Sequence, residues 1–211
     1  MSKFEKTWSG KGSKFTDKVR RVLQPKTRIK ERLETAIRQL ELQNRKLDIA
    51  LMSLKEKDKH YYNRILDALR MRDRNRAILY ANELAEVRKA LRSVHQAKLA
   101  IEQIALRLST VKELGDIIVT LVPAVSVIRS IRGSLSEVLP QADEEFATIS
   151  NLLSNILVDA GQIGGFTIDF TTANEEAEKI LKEAEEQVER EMKEKLPSVP
   201  TLEMEKDKLK F

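Results

Sequence analysis

The sequence predicts an all-α protein, a long basic helical hairpin followed by shorter C-terminal helices. Three observations carry this. Of the 211 residues, 34% are charged and only 5% aromatic, a mixture typical of long helices rather than of a deep globular core. No proline or glycine lies between Lys26 and Leu114, and helix is the default for so long a charged stretch without breakers. Charge is also split: residues 1–112 hold 28 Lys/Arg against 13 Asp/Glu, a net of +15, whereas residues 113–211 hold 10 against 20, a net of −10. Such a chain can bind itself, or offer its basic half to a polyanion once the acidic half moves away.

Residues 1–24 read as a basic amphipathic arm. Residues 1–30 contain ten Lys/Arg and only Glu5 and Asp17 as acids. Phe4, Trp8, Phe15, Val19 and Val22 recur at three-, four- and seven-residue steps, flanked by Lys3, Lys6, Lys11, Lys14 and Lys18. An apolar face with basic flanks suits an anionic membrane surface, where each basic side chain contributes about 1 kcal/mol. Trp8 is the single tryptophan. Ser9-Gly10-Lys11-Gly12 interrupts the pattern, so insertion is expected to be shallow, and a solvated basic tail is the plainer alternative.

Residues 25–160 form the helical core. Leu33, Leu40, Leu47 and Leu54 recur every seven residues, and Ile29, Ala36, Ile37, Ala50 and Leu51 widen the stripe. Asn44 is a polar intruder beside that seam, of the kind that fixes register. The pattern loses phase around Asp58-Lys-His-Tyr-Tyr, which places the hairpin turn there. A second helix then runs from about Tyr61 to Leu114 on Leu84, Val87, Leu91, Val94, Ile101 and Leu108. At 1.5 Å per residue the arms are roughly 45 and 80 Å long, so the second outruns the first. Arg70, Arg72, Arg74 and Arg76, taken as part of one continuous helix, spread positive charge around the rod.

Pro123 and Pro140 divide the next stretch into helices at about 115–122, 124–138 and 141–159. Their apolar residues are expected to cap the hairpin tip or to pack on a neighbouring subunit. The greasiest run, Ile117 to Ile131, contains Pro123 and is soon followed by charges, short of the roughly 20 apolar residues a spanning helix needs. Residues 161–172 read as a flexible linker and 173–195 as an acidic regulatory helix with Ile180, Leu181, Ala184 and Val188 on one side. Folding back on the basic hairpin through ion pairs worth about 0–1 kcal/mol each, it would dock weakly and salt-sensitively. Residues 196–211 form a proline-containing tail.

Nothing points to catalysis. His60 and His95 stand 35 residues apart, Cys is absent, and no acidic cluster has metal-ligand spacing. Gly161-Gln-Ile-Gly-Gly lacks the Lys-Ser/Thr of a phosphate loop. No catalytic residue, metal, cofactor or small-molecule substrate is expected. Lys/Arg-rich helices can coat nucleic acid by counterion release, but no readout motif accompanies them. A basic helical nucleic-acid-associated protein and an inert coiled-coil scaffold remain as alternatives.

The basic unequal hairpin, the short helices after Pro123, the acidic C-terminal helix and Leu196-Pro197-Ser198-Val199-Pro200, in that order, resemble the ESCRT-III family, in particular its archaeal cell-division (Cdv) branch. The resemblance covers nearly the whole chain. It implies a membrane-remodelling subunit of cell division that forms homopolymer filaments, co-assembles with related ESCRT-III subunits, and acts in membrane scission. It also implies disassembly by an AAA ATPase whose MIT domain binds Leu196, Pro197, Val199 and Pro200. The expected location is cytoplasmic, with peripheral recruitment to the membrane at the division site. Some relatives carry a C-terminal winged-helix segment; the 211 residues contain none, so recruitment by that route is not expected.

Overall fold

The computed structural model describes residues 12–111, 113–164, 170–198 and 200. It contains five helices among them: α1 Gly12–Arg70, α2 Arg74–Thr110, α3 Leu114–Leu135, α4 Pro140–Gly164 and α5 Phe170–Lys195. The described residues are all-α, a long hairpin (α1 and α2) with three shorter helices after it, as the sequence predicts.

The turn lies at 71–73, not near 58–62. Arg72 sits in the left-handed region at φ 59°. Its N–H donates to Leu69 O at 3.0 Å, and the Asp73 N–H donates to Ala68 O at 2.9 Å. These two bonds satisfy the last carbonyls of α1 in the Schellman arrangement, whose left-handed position glycine usually fills. Asp73 then caps α2 by accepting from the Arg76 N–H at 3.1 Å. With no glycine at 72, the sequence offers no breaker signal; the Asp73 cap is the one local clue. The loss of phase near Asp58 has another cause. Leu51, Asp58 and Ile65 fall seven residues apart on the buried side of α1, so a carboxylate occupies a seam position where an apolar residue would have kept the pattern. At 59 and 37 residues, the arms span roughly 90 and 55 Å. The first outruns the second, the reverse of the sequence expectation.

The two arms meet along the expected stripes. Ile29, Leu33, Ala36, Leu40, Leu47 and Leu51 of α1 are buried, as are Leu84, Leu91, Val94, Ala97, Ile101, Ile104 and Leu108 of α2. Asn44 does tie the register: its Nδ2 donates to Glu102 Oε1 at 2.9 Å. Lys98 Nζ donates to the same oxygen at 2.6 Å and lies 3.4 Å from Asp48. Burial works to raise the Glu102 carboxyl, but the bonds from Lys98 and Asn44 prevail and hold it below the usual range.

Helix α3 runs unbroken through Pro123. An interior proline costs about 3 kcal/mol of helix propensity, yet Leu121, Val122, Ala124, Val125, Val127 and Ile128 around it are all buried. Each large apolar side chain contributes about 1.5–3 kcal/mol, and together they outweigh the proline. By length and composition Gly115–Leu135 suffices to cross a membrane, but this burial makes it the central core helix. It packs on α2, α4 and α5, and α4 packs in turn on α1. Ion pairs Arg32–Asp159 and Lys46–Glu145 join α1 to α4. The core built by α3–α5 therefore covers the end of the hairpin away from the turn, so the apolar residues after Pro123 neither cap the tip nor require a neighbouring subunit.

Candidate functional site: the docked acidic helix and its tail

Helix α5 does fold back on the hairpin, lying against α2 and α3. Ala177, Ile180, Ala184 and Val188 recur at three- and four-residue steps and are all 3% exposed or less. Ile180 borders a small void with Ile104 of α2 and Pro123 and Ala124 of α3, so it enters the junction of three helices. Burying this stripe contributes roughly 4–6 kcal/mol at the usual value per side chain.

Among the described residues, ion pairs from α5 to the hairpin are few, and the one to His95 carries charge only when its imidazole is protonated. Glu176 pairs with Arg107, and Glu191 Oε2 lies 3.9 Å from His95 Nε2. Glu186 and Glu189 instead pair within α5, with Arg190 and Lys193 at 3.6 Å each. Pairs this exposed contribute about 0–1 kcal/mol. The fold-back thus rests chiefly on an apolar stripe, not on the ion pairs that the charge split suggests.

Arg88 fastens the tail. It reaches from α2 to the buried Asp58 of α1, Nε to Oδ1 at 2.6 Å, and the two side chains are only 16% and 5% exposed. Its Nη2 also donates to the carbonyl oxygen of Pro197 at 2.9 Å. One guanidinium therefore joins both arms of the hairpin and the proline segment. Leu196 and Pro200 are half-buried and Pro197 is exposed; Val199 lies outside the described residues. Of the basic arm, Lys3, Phe4, Lys6, Trp8 and Lys11 also lie outside them. Lys14, Phe15, Lys18 and Val19 belong to the backbone of α1, without described side chains.

No family model matches the chain, and no solved structure matches it. It is similar to Cell division protein B1 of Sulfolobus acidocaldarius, 36% identical over 197 residues, 93% of this chain and 89% of that protein. The chain belongs to the cell division protein B family. It is also similar to Cell division protein B of the same organism, 28% identical over 188 residues (87% and 72% of the two chains). Similarity to Cell division protein B3 covers 120 residues at 31% identity, 54% of this chain and 66% of that protein.

In this member of the cell division protein B family, several of the residues that fasten α5 and the tail to the hairpin carry no signal in the sequence. Asp58 and Arg88 are 30 residues apart and pair only because the turn falls at 71–73. Gln96 Nε2 donates to Leu181 O at 3.3 Å, a contact with no pattern of its own. His95 faces α5. Burial holds its imidazole below the ordinary 6.5, with Glu191 opposing and Lys55, Lys98 and Lys195 reinforcing the shift. A depressed histidine leaves docking fully stable above about pH 6.5 and weakens it as pH falls from there toward the lowered value, because the released state takes up the proton more readily. Glu191 stays ionised in that window, its carboxylate held low first by the bond from Lys195. The protection factors of the α5 amides, corrected for the slowing of intrinsic exchange as pH falls, should therefore drop as pH goes below about 6.5, and His95→Gln should flatten that dependence. An unchanged profile in the variant would remove His95 from the account.

Proposed function

We propose that this chain is a polymerising, ESCRT-III-like subunit of cell division that remodels membranes and has no catalytic step of its own. The observation that carries the proposal is α5 docked on the hairpin through a removable apolar stripe. A helix fixed by one stripe can leave without dismantling the bundle, because the α1–α4 core retains its own buried residues. Release exposes apolar faces of α2 and α3, and a second copy or a related subunit then covers them. Three relatives in one organism, all named cell division proteins, support co-assembly among related subunits. The basic arm, through Phe4, Trp8, Phe15, Val19 and the neighbouring lysines, holds the filament on an anionic cytoplasmic membrane surface. The tail at Leu196, Pro197, Val199 and Pro200 is gripped by the MIT domain of an AAA ATPase, which extracts subunits.

Two experiments test this reading. Truncation after Gly165 should produce filaments, visible by negative-stain microscopy, at concentrations where the full chain stays monomeric. A truncated chain that remains monomeric would contradict control by α5. For the membrane, Trp8→Ala combined with neutralised Lys3, Lys6 and Lys11 should weaken co-sedimentation with anionic vesicles about 100-fold, at about 1 kcal/mol per lysine. Binding indifferent to the change, or to anionic lipid content, would refute the arm's role.

A further inference from the structure

The relocated turn changes what the arginine run does. Arg70, Arg72, Arg74 and Arg76 bracket the break between α1 and α2 and gather at the hairpin tip, rather than spreading around a continuous rod. Residues 61–80 hold five arginines, including Arg64, against Asp67 and Asp73, and all five are exposed. Asp67 pairs with Arg70 at 3.1 Å and Asp73 with Arg76 at 3.2 Å; five arginines against two aspartates give residues 61–80 a net charge of +3. Arg64 lies 5.8 Å from the centre of the Tyr80 ring.

Large apolar side chains stand among these charges. Met71 is 76% exposed, Leu79 57% and Ile78 49%. Ile65, Ala68, Ala77 and Leu84 fill the space between the arms here, apart from the main core. Ile78 is four residues from Arg74 and Leu79 three from Arg76, so each apolar residue shares a helix face with a guanidinium. Arg72 occupies the left-handed position where glycine would be unstrained. A long cationic side chain kept at a strained position is a pointer to function.

We propose that the hairpin tip is a second contact with anionic membrane, in which Met71, Ile78 and Leu79 enter the interface while the surrounding guanidinium groups meet lipid phosphates. Charge complementarity selects an anionic partner. The exposed apolar residues select a bilayer over nucleic acid, since a phosphate backbone offers them nothing to enter. The inference rests on the membrane reading above but uses different residues: about 90 Å of helix separates the tip from the start of α1. Contact at both ends lays α1 along the surface.

The full chain contains no cysteine and one tryptophan, so the two contacts can be read separately. Met71→Cys carrying a nitrobenzoxadiazole probe reports the tip, and Trp8 reports the arm. Vesicles of phosphatidylcholine and phosphatidylserine at a 7:3 ratio, but not phosphatidylcholine alone, should blue-shift the probe and shield it from iodide. In the unlabelled chain, Arg72→Gly should weaken vesicle binding about fivefold without lowering the melting temperature. Adding Ile78→Ser and Leu79→Ser should weaken it at least another tenfold. A response of Trp8 without the probe overturns the tip contact and leaves the arm; the reverse keeps the tip and removes the arm. Silence of both refutes both. A probe shift driven by protein concentration alone, or equally by duplex DNA, makes the tip a subunit or nucleic-acid contact and overturns the proposal.

Discussion

Ile180→Asp should release α5 and start filament growth while α1–α4 stay folded. A carboxylate at a site only 1% exposed, in the junction of Ile104, Pro123 and Ala124, costs several kcal/mol unless it is paired. That penalty, added to the lost isoleucine, exceeds the roughly 4–6 kcal/mol that the stripe supplies. Light scattering should rise at concentrations where the unaltered chain is monomeric, with helical content falling by no more than α5 itself. Ile180→Val, which costs about 0.5–1.5 kcal/mol, should remain closed. If Ile180→Asp stays monomeric with α5 protected, the stripe does not control assembly.

Asp58→Ala should lower the melting temperature sharply. Arg88, 16% exposed between the arms, would lose its counter-charge. Breaking a buried pair from one side costs about 3–5 kcal/mol. Here the guanidinium can swing toward solvent, so we expect about 2–3 kcal/mol, or roughly 5–10 °C for a chain of this size. The double change Asp58→Leu with Arg88→Met should recover most of that loss, because apolar replacement of both partners is often neutral or stabilising. It also removes the donor to the Pro197 carbonyl. The double variant should therefore lose little stability while, on the proposed function, its tail becomes easier for an MIT domain to grip. Equal loss in the single and double variants would mean that Asp58 acts through shape rather than charge.

The elements that could be read from the sequence were those whose apolar residues repeat without interruption. The Leu33–Leu54 heptads, the Leu84–Leu108 series and the Ile180–Val188 stripe all bury the predicted faces. Two misplacements have physical causes. Asp58 holds a seam position because Arg88 satisfies it, and so mimics a loss of phase. Arg72 takes a left-handed conformation that normally signals itself through glycine. Pro123 misled in the opposite sense, since core burial on both sides of it outweighed the break. For the candidate site, the fold-back of an acidic helix was legible from charge, but what holds it was not. Pairings such as Asp58–Arg88 and Gln96–Leu181 depend on where the hairpin turns, and no local pattern records them.

Amide exchange of residues 174–195 in the monomer, followed while salt is raised to about 0.5 M, where charges more than a few ångströms apart are screened, tests the apolar clamp most directly. The account predicts slow exchange at Ala177, Ile180, Ala184 and Val188 that salt leaves almost unchanged. Fast exchange throughout, or protection that melts away as salt rises, would contradict it.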